Sequence, residues 1–184
     1  MSPDSTALHA DAGAVLDGWR APDAEQEALR ELYLRHLASY DDAMWRSCHP
    51  EHLTASALVL DPDAGKVLLT LHAKVGRWLQ LGGHCEPEDS TLAGAALREA
   101  TEESGLADLR LLPNPVQLSR HPLTCDGRPS YHLDVQFVAL ADHGAAEPVI
   151  SEESHDLGWF GVDALPADAD DAVQTLVRRA VGHS

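Results

Sequence analysis

Three glutamates stand close together in the segment REATEESGL, which covers residues 98–106. They are Glu99, Glu102 and Glu103, so they have the spacing i, i+3 and i+4. On an α-helix, which turns about 100° per residue, this spacing brings all three carboxylates to one face. Like charges at this spacing repel one another. Because carboxylate oxygens are preferred ligands of Mg²⁺ and Mn²⁺, the triplet is a candidate metal site, although solvated acidic helix faces are also common.

The residues around the triplet form a longer pattern. Arg98 directly precedes it, and the paired glycines Gly82 and Gly83 lie upstream. This combination resembles the Nudix signature, which reads Gly, five residues, Glu, seven residues, then Arg-Glu-U-x-Glu-Glu-x-Gly-U, where U is a bulky aliphatic residue. Residues 98–106 contain every fixed residue of the second half, with Ala100 as a small substitute at the first U.

The first half of the signature departs from the pattern. Counting from Gly83, the upstream acid is Asp89 rather than Glu, and eight residues instead of seven separate it from Arg98. Glu88 and Ser90 are competing alignments for this position. In the family this acid mainly supports the loop, whereas Asp89 is also a suitable N-cap for the helix that follows.

The resemblance implies a hydrolase that uses Mg²⁺ or Mn²⁺ to cleave substrates built as a nucleoside diphosphate linked to another group. It assigns metal binding to Glu99, Glu102 and Glu103, which Arg98 orients. A backbone carbonyl of the paired glycines, assigned here to Gly83, is the further metal ligand. The motif covers residues 82–106, and the surrounding order of elements fits the family fold.

The implied reaction also needs a general base. Metal ions offset the charge of a diphosphate and lower the pKa of a bound water, and a carboxylate then takes the proton of that water. The candidates are Glu99 and, in the segment SEESHDLGW, Glu152 or Glu153. Glu153 is favoured because a glutamate shortly before a strand that contains a tryptophan often completes the site in similar proteins.

Residues near the paired glycines are candidates for substrate binding. His84 and Glu86 follow the glycines, while Arg77 and Trp78 lead into the loop. Arginine can pair with phosphate and tryptophan can stack on a base, but a loop histidine is often merely solvated and a tryptophan is as often part of the core. Cys85 is expected to be a buried packing residue, because no basic neighbour lowers its pKa.

The periodicity of apolar residues predicts an α+β fold, with a Nudix-type mixed β-sheet sandwiched between helices and an N-terminal helical extension. The predicted domains are the extension at 1–50 and the hydrolase domain at 51–184. The extension is either an arm that forms a homodimer or a cap over the cleft. The predicted helices cover 7–19, 23–40, 92–104 and 171–181, and the predicted strands cover 52–61, 66–73, 78–81, 109–120, 130–140 and 157–162.

Composition limits the classes of binding partner and the cellular compartment that we expect for this protein. With 30 acidic and 13 basic residues the net charge is -17, which argues against nucleic-acid polymers and anionic membranes as partners. Three widely spaced cysteines form neither a disulfide framework nor a zinc knuckle. The acidic N-terminus lacks the basic and apolar regions of a secretory signal, so a cytoplasmic protein is expected.

The leading hypothesis is therefore a metal-dependent enzyme that cleaves the P–O–P bond of a small molecule by attack of metal-activated water. A catalytically silent nucleotide-binding or sensor module on the same fold is the alternative, but such a module would not need all three glutamates. Diphosphate isomerisation, known in the superfamily, would need an active-site cysteine, and Cys85 is not convincingly placed for it.

Overall fold

The computed structural model describes residues 3–73, 75–125, 127–141, 147–149 and 154–182. Within these ranges four helices surround one mixed sheet of eight strands, which confirms the predicted α+β fold class. The helices are α1 (Pro3–Gly18), α2 (Ala24–Ser39), α3 (Leu92–Ser104) and α4 (Asp171–Val181). The strands are β1 (Glu51–Asp61), β2 (Lys66–His72), β3 (Trp78–Leu79), β4 (Leu81–His84), β5 (Arg110–Leu111), β6 (Gln117–Cys125), β7 (Arg128–Leu140) and β8 (Ser154–Gly161).

Strand β1 lies at the centre of the sheet. It runs parallel to β7 and antiparallel to β2 and β4. Strands β5 and β6 pair with β7, while β3 and β8 pair with β2. The sheet therefore branches at β1, β2 and β7, each of which pairs with three other strands. The short strand β4 brings the paired glycines beside β1.

Both faces of β1 are buried: its second half is continuously apolar, whereas His52, Thr54 and Ser56 alternate with apolar residues in its first half. One face, with Leu53 and Val59, belongs to a core cluster that includes side chains of α1, α2 and α3. The other face, with Leu58 and Leu60, belongs to a second cluster that includes side chains of α4. The fold thus places α3 and α4 on opposite sides of the sheet.

Two predicted strands are divided in the structure. The segment 78–81 forms β3 and β4 rather than one strand, with Gln80 between them. The segment 109–120 is divided into β5 and β6 around Pro113 and Pro115. Proline has no N–H to donate to a strand ladder, so the interruption follows from the sequence.

The N-terminal helices pack on the sheet through hydrogen bonds as well as apolar contacts. The carboxylate of Asp23 accepts the Gln26 N–H at 2.9 Å, so Asp23 is the N-cap of α2. The Gln26 side chain bonds both the N–H and the carbonyl of Leu118 in β6. Trp19 Nε1 donates to the Pro115 carbonyl at 2.6 Å.

No helix in the described ranges has the length and apolar character needed to cross a membrane.

Candidate active site

Helix α3 carries the glutamate triplet and is fixed at both ends. Thr91 is its N-cap, with a hydroxyl that accepts a backbone N–H of the first turn at 3.0 Å. The first helical N–H also donates to the carboxylate of Asp11 in α1 at 2.8 Å. Gly105 ends the helix in the left-handed conformation, with φ of 69°. The suggestion that Asp89 is the N-cap is therefore wrong, since Thr91 holds that position.

The three glutamates differ in their exposure to solvent. The side chain of Glu102 is 59% exposed, whereas that of Glu99 is 15% exposed and Glu103 is buried. Glu103 Oε2 accepts the backbone N–H of Gly82 at 2.8 Å. Glu103 thus points into the protein, where this N–H offsets part of the cost of burying its charge.

The paired glycines allow strand β4 to approach both neighbours closely. A β-carbon added to Gly83 would lie 2.9 Å from Glu99 Oε1, so the Glu99 carboxylate rests against the strand backbone. A β-carbon added to Gly82 would lie 2.8 Å from the carbonyl oxygen of Ala55 in β1. Gly82 also has φ of 153°, which side chains rarely tolerate. Gly82 therefore requires glycine, whereas a side chain at position 83 would displace the Glu99 carboxylate.

Arg98 connects the helix to the preceding loop. Its guanidinium donates through Nε and Nη2 to both oxygens of Asp89, at 3.1 and 2.8 Å. Nη1 donates to Glu99 and to Glu102, each at 3.1 Å, and Nη2 also donates to the backbone carbonyl of His84 at 3.1 Å. One cation thus offsets the repulsion between two members of the triplet and fixes the loop against the helix.

Asp89 fills the position of the upstream acid despite the inserted residue. It is buried and also accepts the N–H of Glu86 at 2.8 Å, whereas Glu88 and Ser90 are exposed. Burial by itself raises the pKa of Asp89, but hydrogen bonds from Arg98 and from the Glu86 amide more than offset this, so the pKa lies below its usual value. Hydrogen bonding to Asp89 in turn raises the pKa of Arg98.

The predicted substrate-binding residues lie in two places. The Glu86 carboxylate is 4.0 Å from Arg98 Nη1, so Glu86 flanks the glutamate cluster. His84 ends β4, and its backbone carbonyl accepts a hydrogen bond from Arg98. Arg77 lines a surface cavity of about 410 Å³ together with residues 167–171. Trp78 packs edge-on against Phe160, with ring centroids 4.7 Å apart, and belongs to the α4 side of the core.

Two predictions about chemistry concern the general base and Cys85. Glu152 and Glu153 lie outside the described residues, so the favoured general base stays a prediction. Cys85 is buried, as expected, and burial raises the pKa of its thiol to about 12. This protonated, inaccessible thiol agrees with a packing role.

A group of buried polar residues on β1 and β7 was not foreseen. Both carboxylate oxygens of Asp134 are hydrogen-bonded: Thr54 donates at 2.9 Å, Ser56 at 2.6 Å and Gln136 at 2.9 Å. Gln80, between β3 and β4, donates to the same carboxylate at 3.2 Å. The network ties the strands beside the paired glycines together. The only sequence signal was the alternation of polar residues in HLTAS and HLDVQ.

The fold and the glutamate cluster together define a class of protein. A mixed sheet between helices, with acids of one helix held against a paired-glycine strand, is the arrangement expected of a hydrolase with a Nudix-type site. A family model, described as the NUDIX domain, matches residues 50–179. The chain therefore belongs to the Nudix family, and it is an enzyme of the hydrolase class that acts on acid anhydrides.

Solved structures share this fold. A hydrolase of the NUDIX family from Clostridium perfringens is 25% identical with a TM-score of 0.60, and the match covers 72% of this chain and 97% of that chain. A C. elegans Ap4A hydrolase in a binary complex is 20% identical, with a TM-score of 0.56 and coverage of 71% and 96%. The E. coli dihydroneopterin triphosphate pyrophosphohydrolase is 17% identical, with a TM-score of 0.56 and coverage of 72% and 96%. Comparison with curated protein sequences gives no match.

Proposed function

We propose that this enzyme uses Mg²⁺ or Mn²⁺ to hydrolyse the P–O–P bond of a small nucleoside diphosphate derivative. One observation carries the proposal: the carboxylates of Glu99 and Glu103 are held against the backbone of the paired glycines by a rigid helix. A solvated acidic helix face would not bury Glu103 or hold the Glu99 carboxylate against a strand backbone. The arrangement therefore favours a metal-binding site over a solvated acidic helix face.

The donor set fits a hard divalent cation. Glu99, Glu102 and Glu103 offer only oxygen atoms, and the carbonyl of Gly83 would add another. Glu99 and Glu102 already bind a cation, the Arg98 guanidinium, which shows that this face accommodates positive charge. When bound there, Mg²⁺ or Mn²⁺ would offset the charge of the diphosphate and lower the pKa of a water ligand.

The residues of the chain have distinct proposed roles. Asp89 and Arg98 keep the loop and the helix in register, so that the carboxylates stay in place when substrate binds. Glu153 takes the proton of the attacking water, and Glu99 is the alternative base. Glu86 lies beside the cluster and contacts the substrate. His84, at the end of β4, and the more distant Arg77 and Trp78 are the other candidates for substrate contact.

Charge and relatives support a small, soluble substrate. The net charge of -17 opposes binding of a nucleic-acid polymer, and a small diphosphate has far fewer charges to compensate. Two structural relatives are described as hydrolases of Ap4A and of dihydroneopterin triphosphate, both small molecules with a chain of phosphates. We therefore expect the substrate to belong to the same broad chemical class.

A substrate panel tests the proposal. Nucleotide sugars, dinucleotides, nucleoside triphosphates and coenzyme A are each incubated with the enzyme and Mg²⁺ or Mn²⁺, and phosphate or monophosphate release is measured. At least one compound should be turned over, and Glu102→Gln and Glu103→Gln should lower its turnover. Full activity of both variants would refute the metal site. Calorimetry that shows tight nucleotide binding without turnover of any compound would instead establish a catalytically silent module.

A further inference from the structure

Three histidines from three strands meet on one face of the sheet. His52 of β1 lies in register with His132 of β7, and His84 of β4 is paired with β1 two residues beyond His52. Because alternate residues of a strand share a face, the three imidazoles lie on the same face. Gly83, the residue before His84, has its backbone against Glu99. The histidines are therefore on the side of β4 opposite to the glutamate cluster.

The imidazoles are close enough to bind one ion. One ring nitrogen from each residue lies within 4.8 Å of the others. Nε2 of His84 and Nε2 of His132 are 3.1 Å apart, and the ring of His52 lies 5.2 and 4.9 Å from those two rings, between centroids. Two nitrogens bound to one tetrahedral zinc are separated by about 3.3 Å, given Zn–N distances of about 2.0–2.1 Å. Two of the three nitrogens thus already have the required spacing.

The protonation state of the cluster also suits a metal. Metal ions bind the neutral imidazole, so a histidine site must hold its rings deprotonated. Burial lowers the pKa of His52, and burial with the neighbouring His84 lowers the pKa of His132 to about 2. Imidazole nitrogens suit Zn²⁺ and related transition metals rather than Mg²⁺.

We propose that His52, His84 and His132 form a Zn²⁺ site separate from the glutamate cluster. Three protein ligands leave the fourth tetrahedral position open for water or for an oxygen of a bound ligand. The strands fix the three side chains more firmly than a loop would. Zinc binding here can be tested separately from the proposed hydrolysis, because none of the three ligands belongs to the glutamate triplet.

The position of Arg46 beside His84 leads to a further prediction about zinc affinity. Its Nη2 lies 3.1 Å from Nδ1 of His84, and the residue is exposed. A guanidinium at this distance repels an incoming cation, so Arg46 must turn toward solvent when zinc binds. We therefore expect Arg46→Gln to bind Zn²⁺ more tightly than the wild type.

An interaction without metal can also produce the short distance, because one neutral histidine can donate an N–H to another. Cobalt spectroscopy separates the two explanations. The full-length protein is stripped with a chelator and titrated with Co²⁺ while its visible absorption is recorded. The proposal predicts one equivalent of Co²⁺ with the intense bands of four-coordinate geometry, displaced by Zn²⁺ but not by excess Mg²⁺. Only weak six-coordinate bands, or no bands, would overturn it.

Substitution of two of the histidines tests whether the Co²⁺ absorption bands arise from this cluster. His84→Gln and His132→Gln should each weaken Co²⁺ affinity about 100-fold or more, as loss of a ligand should cost at least as much as loss of a supporting contact. His121→Gln is the matched control: its ring packs against that of His132, but His121 does not belong to the group whose ligand atoms all lie within 4.8 Å of one another. Circular dichroism establishes whether each variant is folded. If His132→Gln is not folded, the Co²⁺ affinity of His84→Gln alone tests the assignment.

A second comparison separates this site from the proposed active site. In the double variant Glu99→Gln/Glu103→Gln the four-coordinate Co²⁺ bands should persist unchanged, even though hydrolysis is lost. Bands that survive in His84→Gln, or that vanish in His121→Gln or in the glutamate double variant, would contradict the assignment. Failure of the whole substrate panel would leave the expected bands unaffected.

Discussion

Asp89 and Arg98 are the residues that adapt the signature loop to its inserted residue. Asp89 has a shorter side chain than the glutamate of the family pattern, yet it bonds Arg98 through both oxygens. The same carboxylate accepts the Glu86 N–H, so it also closes the loop on itself. At the residue scale, the loop that contains the inserted residue is therefore held to α3 by the Asp89–Arg98 ion pair.

Replacing Asp89 should destabilise the protein. Asp89→Asn removes the charge that faces Arg98 in a largely buried position, and we expect a loss of about 2 kcal/mol in the free energy of unfolding. Denaturant unfolding at neutral pH measures this value. Asp108→Asn, an exposed acid beyond α3, is the matched control and should change stability little. Equal effects of the two substitutions would show that the ion pair is not important.

The contribution of Asp89 to the free energy of unfolding should also depend on pH. Because its pKa lies below the usual 3.8 in the folded protein, ionised Asp89 stabilises the fold above that pH. This contribution is lost as the pH falls through the lower, folded-state pKa. The difference in unfolding free energy between the wild type and Asp89→Asn should therefore shrink below about pH 4. A constant difference down to pH 2 would contradict the ion-pair assignment.

Gly83 gives a prediction that separates activity from folding. In Gly83→Ala the new methyl group lies within 3.0 Å of the Glu99 carboxylate, which can move aside because it ends a flexible side chain. We expect turnover to fall about 10- to 100-fold, since small displacements of reacting groups are costly, while the unfolding temperature changes little. Gly13→Ala, which meets no atom within 4 Å, is the control. Wild-type turnover in Gly83→Ala would mean that the position of Glu99 is not critical.

At the scale of elements, α3 depends on α1 as well as on its own cap. Thr91 supplies the local N-cap, and Asp11 of α1 accepts the N–H of Leu92. A carboxylate at a helix N-terminus satisfies a free donor and interacts favourably with the helix dipole. The N-terminal extension therefore helps to position the helix that carries the glutamates.

Removal of this contact tests the link. Asp11→Ala should lower the free energy of unfolding by about 1 kcal/mol, as expected for loss of a capping carboxylate. It should also reduce turnover, because α3 is less firmly held. Asp17→Ala, in the same helix but exposed, is the control for helix propensity. If the two variants are indistinguishable in both measurements, α1 does not steady the catalytic helix.

Most elements could be predicted from the sequence because their signals are local. The N-cap of α2 at Asp23, the end of α3 at Gly105 and the turn before β2 each follow from nearby residues. The inward direction of Glu103 could not be predicted, because its partner is the backbone N–H of Gly82 on another element. The histidine cluster was also missed, since it depends on the parallel register of β1 with β7.

At the scale of the whole molecule, the N-terminal helices contribute to the same core as the sheet. Leu8 and Leu16 of α1 and Tyr33 of α2 are fully buried in the cluster that contains Leu53 of β1. Tyr33 also donates its hydroxyl hydrogen to the carbonyl of Asp134 at 3.3 Å. The buried apolar cluster therefore extends across the predicted division at residue 50.

Truncation tests how far the hydrolase region folds alone. A chain that begins at Glu51 exposes the apolar surface that α1 and α2 cover. We expect it to be insoluble, or to lose the cooperative thermal transition of the full-length protein. Circular dichroism and light scattering provide the measurement, with the full-length chain as reference. A soluble truncated chain with a cooperative transition would support an independent domain at 51–184 and leave the extension free to act as an arm or cap.

The central claim is that the glutamates of α3 support attack of water on a P–O–P bond. The most direct test follows the best compound of the substrate panel in H₂¹⁸O with Mg²⁺, using mass spectrometry of the phosphate products. We predict one ¹⁸O atom per cleavage and a rate at least about 100-fold lower in Glu103→Gln, with the exposed Glu88→Gln near the wild-type rate. Products without ¹⁸O, or a Glu103→Gln variant as fast as the wild type, would contradict the claim.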